Sequence, residues 1–414
     1  MSGGGGGGPL WIIALVAGGV MCGLAYLLEH NEVHGVIVPA LLALGGLAVV
    51  FGSCEAMIRC VEGLGQRMKW NDFVAGTMAG LASNFPEVVM IAFVVLKAPR
   101  VAFVLVALTL HVSALVFGIY SGLMRRDKTG QARLPEALVK LSTDLYACAA
   151  GVFLVTGALM LLLHAFDAGD HRGDGLGAGD LYAIGGALIF VEVINIMRLV
   201  QRFSGDGDDE APTAQPAAAA PAGAEAAAAE AVKPTEAVKP TEAQHEAPGW
   251  GPIVFFGVLG TFASMLGGHA VGEFADALVG GLTSRGYSEM VGAILLSVFA
   301  CSGAFLMLGT AHVKGKYDVA IANASGQVTQ VPFVVLPVVL ILIAAFAQLG
   351  MIPTMEYGAV LPIDFETTLV MIFGFPTMLI LWKSIQDDGK INWLETASMT
   401  ALFALNIYLL AQHG

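Results

Sequence analysis

The sequence predicts an all-α polytopic membrane protein: an inverted repeat of about five helices each, preceded by an extra amino-terminal helix. Three observations carry this expectation. Mean hydropathy is +0.75, with 56% hydrophobic and only 13% charged residues. Roughly eleven stretches reach the length of about 20 mainly apolar residues that one crossing of a bilayer requires. Two related blocks, one in each half, each lead from an amphipathic helix into an apolar run with a polar interruption. Long apolar–polar alternation is absent, which favours a helical bundle over a barrel.

In chain order the expected spans are 10–28, 36–56 (continuing as an amphipathic helix to about 68), 72–97, 100–124, 141–165, 179–201, 250–270 (continuing to about 284), 288–312, 317–347, 365–383 and 392–411. The chain divides accordingly into an extra helix within 1–35, a first repeat over 36–203, a linker over 204–248 and a second repeat over 249–414. The first span follows Met1-Ser2 and the glycine run Gly3–Gly8. It has no positive flank, and Leu27-Leu28-Glu29-His30 offers no small-residue cleavage site, so it is read as a retained helix rather than a signal peptide.

Residues 204–248 are rich in Ala, Pro and Glu and contain a direct repeat, Ala231-Val232-Lys233-Pro234-Thr235-Glu236 followed by Ala237-Val238-Lys239-Pro240-Thr241-Glu242. With few apolar side chains beyond alanine, the segment cannot bury enough surface to offset its chain entropy. It reads as a tether spanning on the order of 40 Å, with a regulatory loop as the alternative. The formal net charge of −13 comes largely from this segment and from short loops, so no basic surface for nucleic acid is present. Cys22, Cys54, Cys148 and Cys301 lie in or at the edge of apolar spans and Cys60 lies on an amphipathic face, which suits packing rather than a disulfide framework.

Basic residues in short loops set the expected sidedness. The loop after the fourth span carries Arg125, Arg126, Lys128, Arg133 and Lys140, whereas the loop after the fifth carries Asp167, Asp170, Asp174 and Asp180 against Arg172. The basic loop, the amino terminus, the linker, Lys314, Lys316, Lys383 and Lys390 are then cytoplasmic in a bacterial-type plasma membrane. Lys97 and Arg100 fall outside, against the rule. On this count the first block begins outside and the second inside, so the repeats are inverted and their polar breaks meet near mid-membrane.

The first block (motif region 52–124) runs from Gly52-Ser53-Cys54-Glu55 through an amphipathic face (Glu55, Arg59, Glu62, Arg67) to Ser83-Asn84-Phe85-Pro86-Glu87 in an apolar run. An ionisable residue inside a bilayer is costly and needs a cavity or a partner. Pro86 lacks an N–H and frees a carbonyl in the preceding turn. With Ser83, Asn84 and the Glu87 carboxylate this makes the all-oxygen set that hard cations favour, calcium taking about 6–8 oxygens. Thr77, Ser113, Asn323, Gln327 and Gln330 supply further candidate oxygens from neighbouring helices. The alternative is that Pro86 merely kinks the helix and Glu87 caps or pairs structurally. His111 and Glu192 are candidate proton relays, against hydrogen-bonded packing for the histidine and a structural or snorkelling role for the acid. Glu55, Glu62, Glu273 and Asp276 read as solvated faces. No phosphate-binding loop or zinc-type cluster suggests enzyme chemistry.

These residues resemble the calcium/cation antiporter superfamily, which contains the sodium/calcium exchangers. Ser83-Asn84-Phe85-Pro86-Glu87 looks like the family's Thr-Ser-x-Pro-Glu element. Gly267-Gly268-His269-Ala270-Val271-Gly272-Glu273, running on to Glu289, looks like the start of its second repeat (motif region 267–347). Lys314-Gly315-Lys316-Tyr317-Asp318-Val319-Ala320-Ile321-Ala322-Asn323 is similar to the loop and next helix. The departures are specific. The family's second acidic residue falls near 304, where this chain reads Cys301-Ser302-Gly303-Ala304. The first repeat's Gly-Asn-x-x-Gly-Ser-Asn helix is replaced by Val104-Leu105-Val106-Ala107-Leu108-Thr109-Leu110, with Ser113 as the next polar position.

The resemblance implies secondary-active cation antiport by alternating access at a central site around Glu87, with small inorganic cations (Ca2+, Na+ or H+) as cargo and no bound cofactor. It also implies sliding gating helices, for which Gly63, Gly65, Gly280 and Gly281 are the candidate close-packing positions. A carboxylate that exchanges a proton for a cation is the minimal logic of such an antiporter, and one carboxylate in place of two weakens divalent binding. Two alternatives stay open: a monovalent cation/proton antiporter on the same fold, and a non-transporting membrane scaffold or sensor acting through 204–248.

Overall fold

The computed structural model describes residues 10–32, 35–68, 70, 78, 80–123, 132–134, 136–166, 175–203, 249–313, 315, 317–355 and 358–413. The linker, Thr77 and most of the charged loop residues used to set sidedness lie outside these described residues. Among them, ten helices are long and apolar enough to cross a membrane, and Glu289–Phe305 is a shorter apolar stretch.

The extra helix α1 (Leu10–His30) packs on α2 (Ile37–Arg67). The first repeat continues through a short helical lead-in at 80–83, α3 (Phe85–Lys97), α4 (Pro99–Leu123), α5 (Glu136–Phe166) and α6 (Ala178–Phe203). The second repeat comprises α7 (Trp250–Thr283), α8 (Glu289–Ala300), α9 (Ser302–Val313), α10 (Tyr317–Gln330), a π-helical turn (Val331–Val335), α11 (Leu336–Gln348), α12 (Phe365–Asp388) and α13 (Trp393–His413). Both amphipathic extensions, to Arg67 and to Thr283, are continuous with their spans as expected. The span expected over 288–312 differs. It is two short helices broken at Cys301.

The inversion is visible in the pairing. The equivalent helices α2 and α7 pack together, as do the equivalent helices α5 and α12, while α6 on α11 mirrors α13 on α4. Two small antiparallel ribbons obey the same rule. Ala132–Arg133 between α4 and α5 pairs with Lys390–Ile391 between α12 and α13, and Gly175–Gly177 between α5 and α6 pairs with Ala359–Pro362 between α11 and α12. Exchanging the repeats turns one ribbon into the other.

At the centre, α4 is buried on every side from Val101 to Leu110, as expected of a helix that is apolar all round. The α2–α7 crossing rests on glycine. A Cβ on Gly267 would lie 3.1 Å from the Gly46 carbonyl oxygen, and one on Gly46 would lie 3.2 Å from that of Gly267. Backbones approach this closely only where side chains are absent. The close-packing role expected of Gly280 and Gly281 is not found: both face open space at the exposed end of α7.

Candidate functional site

The first helix break centres on Asn84. Leu81–Ser83 are helical, Asn84 is a turn residue, and α3 restarts at Phe85 with Pro86 in its first turn. Proline cannot donate to the preceding turn, so carbonyls there must find other partners. The Ser83 carbonyl accepts from the Cys54 thiol at 3.5 Å, and the Ser83 hydroxyl donates to the Gly80 carbonyl at 2.7 Å. Glu87 follows in the first turn of α3, only 7% exposed, and its Oε1 is buried without a hydrogen-bond partner among the described residues. A buried carboxylate left charged and unpaired costs several kcal/mol, so this position calls for a cation or a proton.

Facing the break, α10 presents two carboxamides. Asn84 Nδ2 donates to Gln330 Oε1 at 2.6 Å, and Gln327 Nε2 donates to Asn84 Oδ1 at 3.1 Å. All three residues are buried. A Cβ on Gly80 would lie 3.3 Å from Gln330 Nε2, so the lead-in makes room for the amide. The π turn at Val331–Val335 begins directly after Gln330, with Pro332 inside it. Such turns re-aim side chains and recur at functional sites.

The second break, at Cys301, is the symmetry mate of the first. Superposing the two breaks in sequence pairs Glu87 with Ala304, and Val106, Leu110 and Ser113 with Asn323, Gln327 and Gln330. The contacts obey this pairing. Where Asn84 meets Gln330, Cys301 Sγ meets Ser113 Oγ at 3.8 Å and also donates to the Thr109 carbonyl at 3.8 Å. Asn323 Nδ2 reaches the Ala304 carbonyl at 3.4 Å. A cavity of about 10 Å³ lies between Ser113, Ala304, Asn323 and Gln327, about enough for one water molecule. The centre is therefore lopsided. One break carries a carboxylate faced by amides, and the other carries a thiol and an alanine faced by a serine and an apolar helix.

The sequence-predicted residues divide between these breaks. Ser83, Asn84, Glu87, Gln327 and Gln330 gather at the first; Ser113 and Asn323 stand at the second, with Gln327 reaching both. Thr77 lies outside the described residues. His111 is buried but turned away. Its Nδ1 bonds the Ala107 carbonyl at 2.9 Å, and it neighbours the Phe373 backbone of α12. Glu192 is buried on α6 and accepts from Asn195 of its own helix at 3.4 Å. Neither joins the gathered oxygens.

Sequence reasoning passed over Cys54 and Cys301 as packing, yet both thiols hydrogen-bond at the helix breaks, Cys54 to the Ser83 carbonyl and Cys301 to the Thr109 carbonyl. The signal was Cys301's place opposite Asn84 in the repeat. Two acids read as solvated are instead paired, Glu55 with Arg59 at 3.2 Å and Glu273 with Lys97 at 3.3 Å. Arg100 binds Glu289, Asp364 (2.6 Å) and Glu366 (2.7 Å). Lys97 and Arg100, the two exceptions to the loop-charge rule, are thus neutralised by acids at their own end of the bundle.

Residues 252–412 match the family model described as sodium/calcium exchanger protein. Among solved structures, the fold is similar to an H+/Ca2+ exchanger, CAX (TM-score 0.62, 12% identity, covering 98% of this chain and 89% of that one). It is also similar to the Ca2+/H+ antiporter protein YfkE (TM-score 0.58, 13% identity, 96% and 99%) and to the sodium-calcium exchanger NCX_Mj (TM-score 0.50, 15% identity, 90% and 99%). No curated protein matches the sequence.

Proposed function

We propose, taking as premise that the chain is a divergent member of the calcium/cation exchanger superfamily, that it is a secondary-active cation antiporter working by alternating access, with Glu87 at its central site. The observation that carries this reading is the buried, unpartnered Oε1 of Glu87 at a helix break within the bundle. Its charge must be met by a cation in one half-cycle and by a proton, or a second cation, in the other. Ser83, Asn84, Gln327 and Gln330 are the neighbouring oxygen ligands. Without a cation Asn84 and the two glutamines hydrogen-bond one another; an arriving cation draws their carbonyl oxygens toward itself. Ser113 and Asn323 serve the second break.

The structurally similar proteins are exchangers of calcium, which is the first cargo to test. The experiment is uptake of radioactive calcium into proteoliposomes holding the purified full chain, under an imposed sodium gradient and separately a proton gradient. Gradient-dependent uptake that disappears in Glu87→Gln supports the reading. Absence of flux for calcium, sodium and potassium alike removes it and leaves the scaffold alternative.

A further inference from the structure

We propose that the groove between α1 and α7 is a binding site for the acyl chain of one membrane phospholipid, seated with its headgroup beside Arg59. The site lies on the lipid-facing surface and requires nothing of the antiporter reading.

Glycine creates the groove. A Cβ on Gly45 of α2 would lie 3.0 Å from the Gly18 carbonyl oxygen of α1, and one on Gly46 would lie 3.2 Å from that of Gly267 on α7. Both neighbours are thus drawn close to α2. Successive residues on a helix point about 100° apart, so α1 and α7 rest on different flanks of α2 and a wedge-shaped space remains between them. It encloses about 600 Å³ and is lined by Trp11 and Val16 of α1, Val49 of α2, and Phe255, Phe262 and Leu266 of α7, among others. No charged side chain lines it.

Length and polarity identify the occupant. Along α7 the lining runs from Phe255 to Leu266, roughly 16 Å at 1.5 Å per residue. That matches one leaflet, half of a hydrocarbon core about 30 Å thick. One end of the groove is polar. There the Arg59 guanidinium lies 5.1 Å from the Trp11 ring centroid and 5.8 Å from that of Phe256, and pairs with Glu55. Farther along α2, Arg67 lies over the Trp250 ring at 4.6 Å. Arginine beside tryptophan is the pattern of a membrane–water interface, so this end meets the headgroups. The other end, at Val49 and Leu266, stops beside the Gly46–Gly267 crossing. A ligand apolar over one leaflet and polar at one end is a phospholipid.

The tail is the selected part. Walls on three sides give an acyl chain dispersion contacts along its length that a flat lipid-facing surface does not. Glu55 shares the Arg59 guanidinium, which tempers any preference for anionic headgroups. The segments that run into α1 and α7 are chemically unsuited to the groove: residues 3–8 are glycine, and 204–248 carries few apolar side chains beyond alanine.

The test is native mass spectrometry of the full chain in detergent, with palmitoyl-oleoyl phosphatidylcholine added and, separately, the phosphatidylglycerol. One phospholipid per chain is expected to survive detergent exchange, with either headgroup. Val16 is 62% exposed on the groove wall, so Val16→Trp fills the space from the surface and is expected to cut retention about tenfold or more. Leu162→Trp, on the exposed face of α5, is the matched control and leaves retention unchanged. Added phospholipid should raise the melting temperature of the wild type and the control, as a ligand of the folded state does, but not that of Val16→Trp. Should Val16→Trp not fold, Phe262→Ala opens the wall and should lower retention in the same direction. Absence of a retained phospholipid, retention unchanged by the groove variants, or a lipid-free dimer that shields the groove would each overturn the proposal.

Discussion

Asn84 and Gln330, 246 positions apart, join the first helix break to the facing helix of the other repeat through an amide contact of 2.6 Å. The symmetry-equivalent pair, Cys301 and Ser113, makes the weaker sulfur–hydroxyl contact at 3.8 Å. The same architectural joint is thus built twice, once from carboxamides and once from a thiol and a hydroxyl.

The carboxamide joint is a measurable coupling. Asn84→Ala and Gln330→Ala each strand a buried amide group, which costs about 1–3 kcal/mol. The double variant is expected to lose less than the sum, because the partner stranded by one change is removed by the other. Unfolding of the four proteins in detergent checks this; strict additivity would mean the two side chains do not interact.

The end of the bundle where α4, α8 and α12 begin is held by Arg100. Arg100→Gln leaves Glu289, Asp364 and Glu366 without their shared cation. The side chains are only partly exposed, so a loss on the order of 2 kcal/mol is expected, between the values for surface and buried pairs. Thermal unfolding should show it, and Glu366→Gln in the same background should recover part of it by relieving like-charge repulsion.

Asp364, just before α12, sets the acid limit of that joint. Burial opposes its ionisation, but the Thr367 backbone N–H and the Arg100 charge outweigh burial and bring its carboxyl below the ordinary value of 3.8. A depressed native value means the stabilisation is complete above the unfolded value and is lost as pH falls through the native one. Stability should therefore be insensitive to Asp364 at neutral pH in its protonation, and the wild type should lose stability below about pH 4 more steeply than Asp364→Asn.

The α2–α7 crossing tolerates no side chain at its closest point. Gly267→Val places methyl groups against Val49, Val50 and the Gly46 carbonyl and is expected to cost about 1–3 kcal/mol or displace the helices. Gly280→Ala, in open space, is the neutral control. Equal melting temperatures for the two variants would contradict the crossing described.

Much of this was legible beforehand, for physical reasons. Apolar length fixes a span because lipid offers no partner for the backbone, and the paired blocks announced the repeat. Ser83-Asn84-Pro86-Glu87 stood out because a carboxylate beside a proline in an apolar run is expensive. Gln327 and Gln330 stood out as further side-chain oxygens on a neighbouring helix. The place of the second break was hidden: Cys301 and Ser302 break no helix by propensity, and a buried thiol reads as packing. For His111 both a relay and hydrogen-bonded packing were open; two residues put it roughly 200° around the helix from Ser113 at about 100° per residue, and its Nδ1 bonds the Ala107 carbonyl. The partners of Arg100 come from positions 289, 364 and 366, a juxtaposition no local pattern encodes.

The central claim of the proposed function is that Glu87 trades a proton for a cation. Proton release from the purified chain in weakly buffered detergent solution, on adding calcium and separately sodium, measures this directly. The account predicts that a cation that binds releases protons, because cation binding must displace whatever proton its ligand holds, and that Glu87→Gln releases fewer. Undiminished release from Glu87→Gln would contradict it.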